Sequence, residues 1–296
     1  MVSILISTYN GSKYLNEQIE SLLAQTEKNI RILVRDDGSK DSTPALLDEY
    51  KESNLLEWYT GKNLRPARSF WNLIKKAPSS EFYALCDQDD YWHPDKVSTA
   101  IEMLSKYNGE PALYFSQTSL VDANLNPIET PIISPKRTIE EALIAHYATG
   151  CTFVFNKKLM DVLRSYEPEY LSMHDNWIYR VCLVVGGKII FDPTSHISYR
   201  QHSNNVIGLN HSRSQVIKRK LKSLFGSTHE RSRIAKELIK GYGQMMNQDI
   251  FDLVSNAATC DKSFKSRVKL IINKDISCAS MKCNISSRLA ILLGIY

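Results

Sequence analysis

VSILISTYNGSKYLNEQIESLLAQ, residues 2–25, changes its periodicity part-way along. Val2 to Thr8 is a short apolar run ending in polar residues, which reads as a strand. From Ser12 to Gln25, Leu15, Ile19, Leu22 and Leu23 return at helical spacing. The unit then repeats. Ile30 to Val34 is apolar but for Arg31, and Asp36 to Ser42 is a loop. A helix can then start with Thr43 as cap and Pro44 in its first turn, facing Leu46, Leu47 and Tyr50 inward. Leu55 to Tyr59 and Phe82 to Cys86 read as further strands, and Pro66 to Lys76 and Pro94 to Tyr107 as helices. Strands alternating with helices predict an α/β fold whose mostly parallel sheet is flanked by helices.

In open sheets of this kind ligands bind beyond the carboxyl ends of the strands. The residues to inspect are therefore Thr8-Tyr9-Asn10, Asp36-Asp37 and Asp87 to Asp90. Asp87-Gln88-Asp89-Asp90 puts three carboxylates directly after an apolar strand, where mutual repulsion calls for a cation. Hard oxygen ligands favour Mg²⁺ or Mn²⁺ bridged to a diphosphate. The plainer reading is a solvated acidic turn, with Asp90 or His93 capping the helix at Pro94. Asp36-Asp37-Gly38-Ser39 places a carboxylate at a strand tip, able to accept hydrogen bonds from a ribose or a base, although Asp-Gly is also a common tight turn.

The totals exclude other classes. With 296 residues, 43% of them hydrophobic and 23% charged, the chain has ordinary globular composition. No run reaches the length of a spanning helix and no basic leader precedes the first strand, so a cytoplasmic protein is expected. Cys86, Cys151, Cys182, Cys260, Cys278 and Cys283 show no CxxC spacing, which suggests neither zinc nor disulfides. No GxSxG elbow, Cys-His signature or P-loop appears. Beyond residue 110 the alternation weakens to strand-like Leu113 to Val121 and Cys151 to Phe155, around a helix opened by the capping box Thr138-Ile139-Glu140-Glu141.

ILISTYNG at 4–11, VRDDGSKDS at 34–42 and LCDQDDYWHPDK at 85–96, in this order, resemble family 2 glycosyltransferases of the GT-A fold. TGCTFVFNKKL at 149–159, MHDNWIYRV at 173–181 and YRQHSNNVIG at 199–208 resemble the bacterial rhamnosyltransferase-like branch of surface-polysaccharide assembly. The likeness covers residues 2 to 210 and implies a Rossmann-like catalytic domain over 1–210. A basic helical extension follows over 211–296.

The resemblance implies roles by position. Ser7, Tyr9 and Asp37 match nucleoside-binding positions, with Tyr9 packing on the base and Asp37 hydrogen-bonding it. Asp87 and Asp89 match the DxD pair, Asp89 as a metal ligand and Asp87 reaching the ribose or the metal through water. Asp90 matches an acid near the donor sugar. Asp175, in His174-Asp175 where many relatives carry Glu-Asp, matches the catalytic base. An inverting transfer needs such a carboxylate to take the acceptor's proton, while a helix N-terminal acid stabilised by the dipole is the alternative. His202 matches a loop position that supplies a further metal ligand in parts of the superfamily; a structural histidine is the alternative. Trp92, Trp177 and Tyr179 suit either sugar stacking or core packing. Asn63 and Arg68 follow the third strand, where Arg68 could meet the diphosphate.

The implied reaction moves a sugar, L-rhamnose from dTDP-rhamnose in the first instance, to a hydroxyl of a lipid-linked glycan. A UDP-hexose or UDP-N-acetylhexosamine donor is the nearest rival, and a non-catalytic nucleotide-sugar-binding subunit the rival of another class. Charge divides the chain: residues 1–212 hold 21 Lys and Arg against 26 Asp and Glu, and the remainder holds 16 against 6. Gln215 to Phe225 interleaves four cations with apolar residues, a pattern for lying on the anionic inner face of a membrane. Packing on the catalytic domain or on a second subunit is the alternative. With few aromatics among its cations, the tail does not suggest nucleic-acid binding.

Overall fold

The computed structural model describes residues 1–202 and 229–296. One eight-stranded sheet runs through it, built from β1 (Val2–Thr8), β2 (Ile30–Asp36), β3 (Glu57–Thr60), β4 (Phe82–Cys86), β5 (Tyr91–Trp92), β6 (Ala112–Val121), β7 (Val154–Asn156) and β8 (Lys188–Arg200). The order is β3-β2-β1-β4-β7-β6-β8-β5. The first four strands in that order are parallel, with Leu5 of β1 opposite Leu33 and Leu85. Beyond β4, β7 joins antiparallel to β4 and β6, and β5 antiparallel to β8.

The continuous apolar runs have a simple cause. Successive strand side chains point to opposite faces, so Leu5, Leu33 and Leu85 enter one core while Ile4, Ile6, Ile32 and Val34 enter the other. Both faces are covered by helices: α1 (Leu15–Leu23), α2 (Thr43–Glu52), α3 (Arg65–Lys76), α4 (Lys96–Leu104), α5 (Ile139–Ile144), α6 (Lys157–Arg164) and α7 (His174–Val184).

Several boundaries differ from the sequence expectation for identifiable reasons. Ser42, not Thr43, is the N-cap of α2, and the Thr43 hydroxyl instead accepts the Gly11 N–H at 2.9 Å, tying two loops together. Helix α4 begins at Lys96 rather than Pro94 because Gln25 bonds His93 O at 2.8 Å and accepts the Val97 N–H at 3.1 Å. Neither Asp90 nor His93 caps it; Asp95 holds that position. The strand expected over Cys151 to Phe155 is a 3₁₀ turn at Gly150–Thr152 followed by β7, whose Asn156 caps α6. Thr138 caps α5 as expected, while the Glu141 carboxylate reaches back to the Lys136 and Arg137 N–H groups.

After residue 229 come α8 (Glu230–Tyr242), α9 (Gln248–Thr259), α10 (Phe264–Ile272) and α11 (Met281–Leu293). Their buried residues Leu238, Tyr242, Val254, Ala257 and Ile291 join the same core as Leu5, Trp71 and Trp177. Tyr296 donates to Leu143 O at 2.7 Å, and Arg231 to Ile144 O at 2.9 Å. The boundary at 210/211 and the basic stretch Gln215 to Phe225 lie outside the described residues. Among those described, no helix is long and apolar enough to cross a membrane.

Candidate functional site

A cleft of about 460 Å³ opens at the carboxyl ends of β1, β2 and β4, within the size range of small-molecule sites. Ser7, Tyr9, Asp37, Asp87 and Asp89 line one side, and Gly150, His174 and Asp175 the other.

The first side is assembled from strand tips. Asp36 closes its own turn: its carboxylate accepts the N–H groups of Gly38 and Ser39, each at 3.0 Å, and the Thr60 hydroxyl at 3.0 Å. Asp37 is thereby left to face the cleft, where it accepts the Leu64 N–H at 2.9 Å and pairs with buried Arg35. Ser7 donates to Ser69 at 2.6 Å, and Tyr9 stays 44% exposed. Gln88, the middle residue of the DxD, was not singled out by the sequence. Its Oε1 accepts from the Thr8 hydroxyl at 2.7 Å and the Tyr9 N–H at 2.9 Å, so it fastens the β1 loop to the carboxylates. A Cβ at Gly11 would come within 2.4 Å of that same oxygen, so any larger residue there would displace the Gln88 amide. The signal for Gln88 was its place between two carboxylates, where a neutral amide can bond without adding charge.

The opposite side is the N-terminus of α7 and the 3₁₀ turn. Asp175 lies in the first helical turn, accepts the Asn176 N–H at 2.6 Å and has His146 Nε2 at 3.7 Å from Oδ2. Burial pushes its carboxyl up, but His146, His174 and the Asn176 N–H together outweigh burial and lower it to about 2. His174 stacks on Phe70 with ring centroids 4.0 Å apart, and burial lowers its imidazole to about 4. His146 was missed because it stands in irregular chain just after α5, with no periodicity to place it.

Between the two sides lies a concentration of negative charge. Burial, then the charges of Asp89 and Asp175, raise the Asp87 carboxyl to about 7. Among the described residues no Lys or Arg forms an ion pair with Asp87 or Asp89; the partner of Asp89 Oδ2 is His202 Nε2, at 2.8 Å. His202 is carried there by Arg200, whose Nε donates to Asp89 O at 2.7 Å and whose backbone N–H donates to Asp90 Oδ1 at 3.1 Å. His202 meets Asp89, which follows Asp87 and Gln88, and carboxylates with an imidazole are donors of a kind that fits Mg²⁺ or Mn²⁺. Asp87, Asp90 and Cys151 also bring one ligand atom each within 4.8 Å of one another. Burial raises the Cys151 thiol well above its ordinary range and keeps it protonated, a poor ligand for a hard ion.

Five expected residues stay away from the cleft, among them Tyr179, buried with its ring 5.8 Å from that of Phe115. Asp90 is buried behind its floor, holding Arg200. Trp92 is buried because β5 turns it inward, and Lys96 Nζ lies 3.8 Å from its ring centroid. Trp177 faces the C-terminal helices, 6.0 Å from the Tyr242 ring. Arg68 donates to Pro168 O at 2.9 Å and Glu169 O at 2.8 Å, pinning α3 to the loop after α6, while Asn63 and Arg65 line the cleft instead.

The family model described as glycosyl transferase family 2 matches residues 3–164, more than half of the chain. The chain belongs to glycosyl transferase family 2. This family 2 glycosyltransferase is 25% identical to the dTDP-rhamnosyl transferase RfbG of Shigella flexneri, over 69% of this chain and 74% of that one. It is 36% identical to an uncharacterized glycosyltransferase of Rickettsia bellii over 69% of this chain, but spans only 30% of that relative's length. In solved structures, S. aureus TarS 1-349 in complex with UDP-GlcNAc superposes with a TM-score of 0.61 at 16% identity, covering 100% of this chain and 81% of that one. The mannosyltransferase PcManGT from Pyrobaculum calidifontis, in complex with GDP-Man and Mn2+, gives 0.52 at 15%, covering 99% and 85%. The GT-A fold implied by the motifs is therefore the fold of this glycosyltransferase.

Proposed function

We propose that the protein transfers a sugar from a nucleotide-diphosphate donor to a hydroxyl of a lipid-linked glycan with inversion, L-rhamnose from dTDP-rhamnose being the donor of choice. The observation that carries this reading is that Asp175 faces Asp87 and Asp89 across a single cleft. Tyr9 packs on the base and Asp37 accepts its N–H, while Ser7 and Asp87 border the ribose. Asp89 and His202, with Asp87, would hold Mg²⁺ or Mn²⁺, which would stabilise the charge on the departing diphosphate.

Asp175 takes the proton of the acceptor hydroxyl as that oxygen bonds to the anomeric carbon. The bond from that carbon to the diphosphate oxygen breaks, and the nucleoside diphosphate leaves. His174, neutral at ordinary pH, holds the position of Asp175 through its stack on Phe70. The rhamnosyl donor is favoured by the likeness to the Shigella dTDP-rhamnosyl transferase.

Calorimetric titration of dTDP, UDP, GDP and CDP, with and without Mn²⁺, tests the reading. Metal-dependent binding of dTDP that Asp89→Ala abolishes is expected. Preference for UDP would replace the donor, and absence of binding by every nucleotide would overturn the proposal.

A further inference from the structure

Among the described residues, large apolar side chains left in solvent are concentrated on the last two helices. On α10, Phe264 (70% exposed), Val268 and Ile272 (68%) recur every four residues. On α11, Met281 (76%), Ile285, Leu289 and Leu293 (64%) do the same. Residues four apart lie on one side of a helix, so each helix carries an apolar stripe facing water. These helices pack against each other and bury different residues, Leu270 from α10 and Ile291 from α11, in the core. The exposed stripes are thus surplus to folding. Exposed apolar stripes several residues long mark an interaction site rather than ordinary scattered exposure.

The charge around the stripes identifies the partner. From residue 262 to 296 there are seven Lys and Arg and a single acid, Asp275. Lys262, Lys265, Lys269, Lys274 and Lys282 are all exposed. A second copy of the chain meeting this face through a two-fold axis would set these lysines against themselves. A bilayer with anionic headgroups satisfies both components, taking the apolar side chains into its interfacial zone and pairing the ammonium groups with phosphates.

We infer that the α10–α11 face is a docking surface for an anionic lipid bilayer. The inference stands on this surface alone and does not depend on the donor or acceptor assigned above. Both helices join the core that reaches the α3 and α7 side of the cleft, so docking holds the catalytic domain at the bilayer surface.

The test is co-sedimentation of the full chain with vesicles of phosphatidylcholine alone and of phosphatidylcholine mixed with phosphatidylglycerol, in parallel with nucleotide titration of the same samples. The wild type is expected to partition onto the phosphatidylglycerol vesicles at least ~10-fold more strongly. Phe264→Ser with Ile285→Ser should weaken this by about tenfold or more, and Lys265→Glu with Lys269→Glu and Lys282→Glu by on the order of a hundredfold. Nucleotide binding should be unchanged in both, which separates loss of docking from loss of fold or of the donor site. Should the serine variant not fold, the indole of a Phe264→Trp variant is expected to be quenched by brominated lipid. Failure of the wild type to bind phosphatidylglycerol vesicles, wild-type binding by both multiple variants, or absence of quenching in the Phe264→Trp variant would overturn the inference. So would a solution dimer that the serine variant converts to monomer, because a second copy would then own the face.

Discussion

The two sides of the cleft are built by different means. The side proposed for the nucleotide consists of strand tips: Ser7 lies near the end of β1, Asp37 follows β2 and Asp87 follows β4. Each backbone is fixed by parallel pairing on at least one side, and short bonds such as Gln88 to Thr8 and Tyr9 tie the tips together. The Asp175 side hangs on one helix N-terminus, a 3₁₀ turn and two imidazoles, held by packing and by close approach at Gly150. A rigid sheet edge suits a binding surface that must be present before the ligand arrives. A carboxylate kept ionised by neighbouring rings is available to accept a proton. The comparison teaches that binding and chemistry should separate under mutation.

The largest separation is expected from Asp175→Asn. Loss of a general base costs about 10²–10⁴ in turnover, so kcat should fall by that factor while calorimetry shows unchanged donor affinity. A variant that lost donor binding as well would erase the distinction between the two sides. Asp89→Ala is the converse: metal-dependent nucleotide affinity should drop by at least about a hundredfold, the upper end of losses seen even for residues behind a metal's own ligands. The unchanged far wall should leave thermal stability close to wild type.

The two sides were also unequally legible in the sequence. Tyr9, Asp37, Asp87 and Asp89 follow apolar runs such as Ile4-Leu5-Ile6 and Ala84-Leu85-Cys86, so strand position and residue type together announced them, whereas Ser7 was singled out by the family resemblance alone. The parallel half of the sheet was readable for the same reason, because strands buried on both faces are continuous hydrophobic runs. The antiparallel addition of β7 and the short β5 was not, since three- and two-residue strands carry no period. His146 lacked any local pattern. Trp92 and Trp177 illustrate the limit of residue type: a ring suited to sugar stacking is equally suited to a core, and only the pairing of β5 and the packing of α8 decide. The stripes on α10 and α11 were hidden because both helices are apolar on their inner and outer sides.

Acidity offers a finer probe of the nucleotide side. With Asp87 raised to about 7 by burial and by Asp89 and Asp175, a metal must displace a proton below that pH. Apparent affinity for Mn²⁺ with nucleotide should fall by roughly tenfold per pH unit below about 7 and level off above it. Titrations at a series of pH values check this; a flat profile would show Asp87 already ionised. On the other side, Gly150→Ala would put a Cβ 2.8 Å from His174 Nε2 and 3.1 Å from Asp175 Cβ. His174 is held against Phe70 and cannot retreat freely, so overpacking should cost about 1–3 kcal/mol in denaturant unfolding. Turnover should suffer more than donor binding.

The smallest effect, and the one that best resolves how the second side works, is expected from His146→Gln. Burial favours the protonated form of Asp175, and His146 is the foremost of the groups that reverse it to about 2. Without the imidazole the carboxyl should rise toward its ordinary value of about 4. The folded-state value is depressed, so its contribution to stability is complete above about pH 4 and is lost as pH falls toward 2. The variant should therefore show a weaker fall in stability over that window. In catalysis the acid limb of the kcat profile should move upward, while the rate at neutral pH changes by only a few-fold, because Asp175 stays ionised there and a somewhat more basic carboxylate accepts a proton no less readily. An unmoved acid limb with a large loss of kcat would mean that His146 orients Asp175 rather than tunes it, and the second side would then owe its function to position alone.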